Sequence, residues 1–439
     1  MPSRNAAHRT NPTCDDGSVV RSLAGAVTVA ALPLFVVSQW FAIKWGLPAR
    51  PVFNLVFLAA ASVIVVAGYE RLRSIRWEVA IWLGLVAVVA VSIAVNGVPA
   101  SVALRGSLPY LAPPFVALAA LVADPRRRAV DSAVTVAAAT GGVLAATAVV
   151  QLAAGRAGYV LFGQDLAYPR WWERGRATGL VANPGRLAQV AASIVPMVAR
   201  RGRWWVAAAA TAGVAAAASG SRTALGAGIV LAVSAVVVGR SSGRAAMLGG
   251  AVALVGAFVL FQTLVPAARQ DLAARVEATV SDSAGALTDV RVANLRSGLA
   301  LLSDRPILGA GPGRFGSTTA FATRSELHER YGLPDVRSPE FVEELRRRGD
   351  DREIDVGVAQ LDLGFLQVAT ELGLAGLALL GAFLASLVVR AWRARSPAAL
   401  GLVTLAALFS VTGPGIVDFS LAALVFWWFG VTVSDGDRG

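Results

Sequence analysis

The sequence predicts an all-α integral membrane protein with about 12 transmembrane helices and one large, mostly helical extracytoplasmic loop domain. Three observations predict it. Hydrophobic residues make up 56% of the 439, mean hydropathy is +0.61 and charged residues are only 15%, well below the roughly 25% of an ordinary soluble domain. Apolar runs near the roughly 20 residues needed to cross the hydrocarbon core recur along the chain. One long polar insert, between about Val265 and Asp362, interrupts them.

Residues 1–21 form a polar tail with Arg4, Arg9, Asp15 and Asp16. The tail lacks the short apolar core and small-residue site of a cleaved signal, so the first span is expected to act as an uncleaved anchor. Spans are expected near 22–42, 51–69, 78–96, 107–123, 129–154, 186–199, 204–219, 223–239 and 245–265, forming an N-terminal membrane domain over 22–265. The loop domain follows over 266–362, then spans near 363–389, 397–413 and 416–433, and a short tail over 434–439. Pro113, Pro114, Pro196 and Pro414 break or shorten the fourth, sixth and eleventh spans.

Charge placement gives the orientation. With the N-terminus in the cytoplasm, the inner loops receive Arg71, Arg73 and Arg76, then Arg126, Arg127 and Arg128, then Arg200, Arg201 and Arg203, then Arg240 and Arg244, then Arg390, Arg393 and Arg395. The short outer loops receive Lys44, Arg50, Arg105 and Arg222. This positive-inside bias places both termini in the cytoplasm of a multi-pass cytoplasmic-membrane protein. It also accounts for the net charge of +12 without nucleic acid as a partner. Cys14 is the only cysteine, which excludes an intrachain disulfide and a cysteine-based metal site. Of the two histidines, His8 lies in the tail, and His328 reads as a solvated helix residue.

Outside the spans, residues 155–185 read as an outer loop, with Trp171, Trp172, Arg170, Arg174 and Arg176 suited to the membrane interface. The insert reads as largely helical. Ser338-Pro339-Glu340 before Phe341-Val342-Glu343-Glu344-Leu345 is a helix start. Over 289–303, Leu295, Leu299 and Leu302 fall on one helical face, and Arg291 falls with them, where solvation would not place an arginine.

Several residues are candidates for chemistry. Arg222, in Ser219-Gly220-Ser221-Arg222-Thr223, opens a span on the outer side, against both the positive-inside bias and the helix dipole. An arginine in that place suits an anionic partner, although a snorkelling interfacial arginine has the same pattern. Arg176 precedes a span start and reads equally well as a surface anchor. Arg314 lies in the passage Gly309-Ala310-Gly311-Pro312-Gly313-Arg314, where Gly311 and Gly313 would let backbone N–H groups approach a ligand, or simply make a tight turn. Asp362 suits a proton acceptor at a span entry, or a partner for an arginine of the insert. The only Asp-x-Asp, Asp435-Gly436-Asp437, falls in the C-terminal tail, so no metal and no cofactor is expected. Asp418, within the last span, has no evident role.

Taken together these passages resemble the O-antigen ligase and O-antigen polymerase superfamily of polytopic membrane glycosyltransferases. The resemblance is carried by Arg176 to Pro184 (Arg-x-x-Gly-x-x-x-Asn-Pro), by Ser221-Arg222, by Arg291 before Pro306 to Phe315, and by Asp362-Leu363-Gly364-Phe365-Leu366 followed by Glu371-Leu372-Gly373-Leu374-Ala375-Gly376-Leu377. It covers roughly 176–380. Asp362 stands where the ligases carry His, and Leu363 where they carry Asn, so ligase and polymerase both stay open. The resemblance implies metal-independent, inverting transfer of a glycan from a polyprenyl-diphosphate-linked donor to a glycan or lipid acceptor, at the outer face of the bilayer. It gives catalytic roles to Asp362, Arg222 and Arg291, and substrate contacts to Arg176, Arg314, Gly311 and Gly313. Arginine suits the diphosphate because it is permanently charged and binds phosphate oxygens in pairs. A transporter or flippase for lipid-linked sugars shares the hydropathy, but the two halves show no sequence repeat.

Overall fold

The structure is a computed structural model that describes residues 16–123, 125–163, 175–181, 183–199, 204–238, 244–270, 273, 286–323, 325–333, 363–412, 415 and 418–436. Every regular element among them is helical, and each expected span coincides with a helix. In chain order these are α1 (Asp16–Trp45), α2 (Ala49–Ala67), a 3-10 turn (Tyr69–Ile75), α3 (Arg76–Val95), α4 (Ala100–Ala123), α5 (Arg127–Ala154) and the short α6 (Arg156–Leu161). Then come α7 (Pro184–Val198), α8 (Trp204–Ala218), α9 (Thr223–Val237) and α10 (Arg244–Leu264). Within the insert lie α11 (Ala286–Asp304), α12 (Thr318–Ala322) and α13 (Glu326–Arg330), and the chain closes with α14 (Gly364–Arg393), α15 (Pro397–Thr412) and α16 (Phe419–Gly436).

Seven of these helices are long and apolar enough to cross a membrane: α1 to α5, α10 and α14, with the 3-10 turn continuing into α3. That makes the chain a multi-pass membrane protein. Apolar stretches of α8, α9, α15 and α16 are shorter, and α7 has 15 residues. The N-terminus of α7 is set locally: Pro184 opens it, and the Asn183 side chain accepts from the Arg186 backbone N–H at 2.7 Å.

The last helix lies in the middle of the bundle. Phe426, Trp427, Trp428 and Phe429 of α16 are all fully buried, as a helix apolar on every side requires. Gly430 lies so close to α4 that a Cβ there would meet the Ala120 Cβ at 2.5 Å. Trp427 donates from Nε1 to Thr28 Oγ1 of α1 at 3.1 Å, and Phe57 of α2 meets the Trp427 ring edge-on at 5.8 Å. Many of the exposed large hydrophobics, such as Leu55, Val66, Val95, Leu104 and Val252, lie on the helices long enough to cross.

The pairings show which helix ends lie together. α3 and α14 run antiparallel: Arg390 Nε donates to Glu78 Oε1 at 2.9 Å near one end, and Ser92 meets the Glu371 region near the other. α15 and α9 run antiparallel too, with Gly226 beside Leu408 and Ser234 Oγ 3.2 Å from Thr404 Oγ1. One end of the bundle therefore collects the start of α3, the ends of α4 and α14 and the start of α5. There Arg71 donates to Val122 O at 3.2 Å, and Arg73, Arg76, Arg126, Arg127, Arg128 and Arg393 lie close by in sequence. The start of α1 belongs to this end, since Gly25 faces Ala129, and so does the end of α16, since Gly430 faces Ala120. The opposite end collects the ends of α3 and α10, the starts of α7, α9, α14 and α16, and the described part of the insert.

The packed face of the first described insert helix differs from the expected one. The helix expected over 289–303 is present as α11, but Leu295 and Leu299 are exposed rather than buried. The packed face runs instead through Ser297, Gly298 and Leu301, because Gly298 lets Leu366 of α14 approach to 3.0 Å from a Cβ position. Serine and glycine do not mark an apolar helical face, so apolar periodicity does not reveal this one. The Leu295–Leu299 stripe thus says nothing about where Arg291 points. The expected helix start at Ser338 and the interfacial residues Arg170, Trp171, Trp172 and Arg174 lie outside the described residues.

Candidate functional site

Two constructions stand at the insert-bearing end of the bundle. In the first, the chain from Arg176 to Gly179 is clipped between α5 and the turn after α8. Gln151 of α5, fully buried, accepts from the backbone N–H groups of Thr178 and Gly179 at 3.0 and 2.9 Å, and returns a bond from Nε2 to Gly179 O at 3.1 Å. On the other side Ala177 N–H donates to Ala218 O at 2.7 Å, and Arg176 Nε donates to Ser219 O at 3.0 Å. Gly220 is at φ +59, and a Cβ there would lie 3.1 Å from Arg176 Cγ. The glycine is thus needed both for the turn and for the approach of the arginine stem.

Arg176 is therefore no surface anchor. It is 7% exposed, and its guanidinium helps hold the Ser219–Arg222 turn in place. Tyr159 of α6 supports it from below by donating its hydroxyl to the Arg176 carbonyl. Burial pushes the Tyr159 phenol up, against a smaller pull downwards from the Arg176 charge. Arg222, by contrast, is exposed at the mouth of α9. Two passages some forty residues apart in sequence thus form one unit, with one arginine buried and the next presented outward.

The second construction is a loop inserted into a broken helix. Gly373 interrupts α14 at φ +69, ψ −171. In place of some helical bonds, Leu374 N–H donates to Pro306 O at 2.7 Å and Ala375 N–H to Ile307 O at 3.2 Å. Ala310 and Gly311 N–H groups donate in turn to Thr370 O and Glu371 O at 2.8 and 2.9 Å. Only glycine fits at the crossing, since a Cβ on Gly373 would sit 2.1 Å from Ile307 O, and one on Gly309 would sit 2.5 Å from Thr370 O.

The break leaves Glu371, fully buried, facing the loop. Its Oε2 accepts from Tyr110 OH at 2.6 Å and from Gly313 N–H at 2.7 Å. Its Oε1 accepts from Ser317 Oγ at 2.7 Å and from Phe315 N–H at 3.0 Å. Gln367 Nε2 donates to the Tyr110 oxygen at 3.2 Å, so that hydroxyl is free to give its proton to Glu371. Four donors thus fill both carboxylate oxygens, and a buried carboxylate needs such a set to offset its lost hydration.

The site residues expected from sequence fall into place unevenly. The backbone N–H groups of Gly311 and Gly313 are engaged within the protein, by the main chain and side chain of Glu371. Arg314, half-buried, donates from Nη1 to Asn96 O at 3.2 Å. Arg291 lies in α11, but its side chain is outside the description, and so is the whole of Asp362. His328 is buried rather than solvated: its Nε2 accepts from Gly316 N–H at 3.1 Å, and its ring lies 4.2 Å from that of Phe321. The imidazole serves to close the loop over Phe315. Asp418, without a role from sequence alone, forms an ion pair with Arg186, which also donates to Gln39 Oε1 at 3.1 Å. Tyr110, Gln151, Arg186 and Gln39 were all missed. Each sits inside an apolar helix, where the polar residue interrupting the pattern was the available signal.

Among the described residues no group of three or more His, Cys, Asp or Glu side chains stands together as a metal site. No family model matches the chain, and no curated protein matches it.

Proposed function

We propose that the chain crosses the membrane twelve times and transfers a glycan from a polyprenyl-diphosphate-linked donor to an acceptor hydroxyl, in the manner of the O-antigen ligases and polymerases. The observation that carries this reading is the joining of Arg176 and Ser219–Arg222 into one unit. It stands at the same end of the bundle as the Pro306–Phe315 loop docked on Glu371. Passages that suggested phosphate chemistry only through their residue types share one face, and it lies opposite the arginine-rich end. With that basic end in the cytoplasm, the shared face is the outer one.

In this reading the acceptor oxygen attacks the anomeric carbon, and the bond from that carbon to the diphosphate oxygen breaks. The hydroxyl proton passes to Asp362, and the diphosphate leaves with the added negative charge. Arg222 and Arg291 stabilise that charge, while Arg176 holds the turn that presents Arg222. A guanidinium offers two parallel N–H groups to adjacent phosphate oxygens, which a lysine ammonium does not. Arg222→Lys and Arg291→Lys should therefore depress turnover of a lipid-linked donor strongly in purified protein that still inserts and elutes as one species. Asp362→Asn should lower it by about 10²–10⁴, as for loss of a general base. Near-normal turnover in both lysine variants overturns phosphate binding by these arginines, and full turnover in Asp362→Asn removes that residue from the mechanism.

The Arg186–Asp418 pair favours one other reading. Ion pairs within the membrane domain are a feature of transporters, so movement of a lipid-linked sugar is the alternative. Wild-type protein in detergent that binds the donor but never turns it over would establish it.

A further inference from the structure

Arg305 and Arg314 flank the loop that docks on α14, and both fold back onto one residue. Arg305 Nη1 donates to Asn96 Oδ1 at 2.7 Å, and Arg314 Nη1 to Asn96 O at 3.2 Å. Asn96 is itself oriented, with its Nδ2 donating to Ser92 O at 2.9 Å, so Oδ1 is turned towards Arg305. Gly311 makes the arrangement possible: a Cβ there would lie 2.5 Å from Val98, 3.3 Å from the Asn96 Cβ and 3.7 Å from Arg314 Cγ. Among the described residues no carboxylate lies within ion-pair distance of either arginine. The nearest in sequence, Asp304, accepts from Tyr331 OH at 2.9 Å. The α3 C-terminus, with its partial negative charge, offsets the two cations only in part. Each guanidinium carries five N–H donors, and among the described residues each places one bond.

The surroundings are apolar and outward-facing. Val95, next to Asn96, is 68% exposed, and Ile307, two residues from Arg305, is also 68% exposed. Val91 and Leu374 are exposed as well. They belong to α3, the docked loop and α14, which Ser92 joins through its bond to Leu308 O at 2.7 Å. A strip of exposed apolar side chains on membrane-crossing helices thus ends at two half-buried arginines. An arginine that merely snorkels reaches away from the protein into water, whereas these two turn inward onto one asparagine.

The geometry points to a binding site for the phosphate headgroup of an anionic membrane lipid, with Arg305 and Arg314 as its cationic walls, Asn96 as their spacer and the Val91–Val95–Ile307–Leu374 strip against the lipid chain. The site uses neither Arg222 nor Arg291, the phosphate-binding arginines of the proposed transfer, and it takes Arg314, to which the resemblance gives a substrate contact, for a lipid that is not the donor. It gives the docked loop a second anchor in the bilayer beside the internal one at Glu371.

The test is native mass spectrometry of the full chain released from detergent micelles containing phosphatidylglycerol or phosphatidylcholine in equal amounts. Wild-type protein and the Arg222→Lys variant should both retain phosphatidylglycerol in preference to phosphatidylcholine. Arg305→Gln/Arg314→Gln should lose that preference by about tenfold, the scale of losing charge-assisted bonds to phosphate. If that double variant is not monodisperse, Arg305→Lys/Arg314→Lys, which keeps the charge but loses the fork, should show a partial loss. Unchanged retention in whichever pair folds overturns the site. Displacement of the lipid by millimolar inorganic phosphate would overturn the lipid assignment in favour of a free anion. A loss of preference in Arg222→Lys alone would overturn the independence of the two sites.

Discussion

Glu371 shows at the scale of one residue how a polar side chain can be retained inside an apolar helix. Its carboxylate is fully buried, and it is covered by two backbone N–H groups and two hydroxyls. Truncation to alanine leaves those four donors in the interior without an acceptor, at about 1–3 kcal/mol for each that water cannot reach. Glu371→Ala should therefore fail to survive mild heating in detergent, read as loss of the monodisperse peak in size-exclusion chromatography. Glu371→Gln keeps the shape but sets an amide N–H₂ against two of the donors, so it should fall between wild type and alanine. A Gln variant as stable as wild type would show that the donors do not need two acceptor oxygens. In the sequence Glu371 was legible only as part of a Glu-x-Gly passage. Its partners lie 54 to 261 positions away, which no local pattern records.

The broken α14 makes the corresponding point for an element. Its sequence, Gly364 to Arg393, reads as one apolar span, and by hydropathy it is one. The break at Gly373 exists because the loop from Pro306 to Gly311 supplies donors and acceptors for the helical bonds given up there. Irregular backbone at such a depth is tolerated only where protein re-satisfies it. Gly373→Ala meets two penalties: a positive φ with ψ near 180°, a conformation essentially confined to glycine that costs about 1–3 kcal/mol, and a methyl 2.1 Å from Ile307 O. The loop should undock, exposing the 305–315 segment to limited proteolysis in membranes while helix content by circular dichroism stays near wild type. Gly381→Ala, where a Cβ meets nothing within 4 Å, should leave the cleavage pattern unchanged. Equal protection in Gly373→Ala and wild type would show that the positive φ is dispensable.

For the whole molecule, the arginine-rich end and the insert-bearing end lie at opposite poles of one bundle. The loop charges predict that both chain termini are cytoplasmic, and on that orientation the insert is outside. A cysteine at position 338 (Ser338→Cys, in a Cys14→Ser background) should react with a membrane-impermeant maleimide in intact cells. Arg127→Cys should react only after the membrane is opened. The reverse pattern would invert the orientation and remove the outer face as the place of the chemistry.

The sequence by itself determined where the long apolar helices are, because span length and apolar composition are local quantities set by the thickness of the bilayer. It also determined which ends are basic, because loop charge is read off directly. Tertiary structure alone decided which polar residues meet. Arg176 became a buried clip for the Ser219–Arg222 turn, His328 a packed ring, Asp418 the partner of Arg186, and Gly311 and Gly313 donors to Glu371. In an apolar bundle hydrophobicity does little to sort the faces of a helix. Side-chain polarity therefore marks where a residue needs a partner, and only the packing of distant helices supplies it.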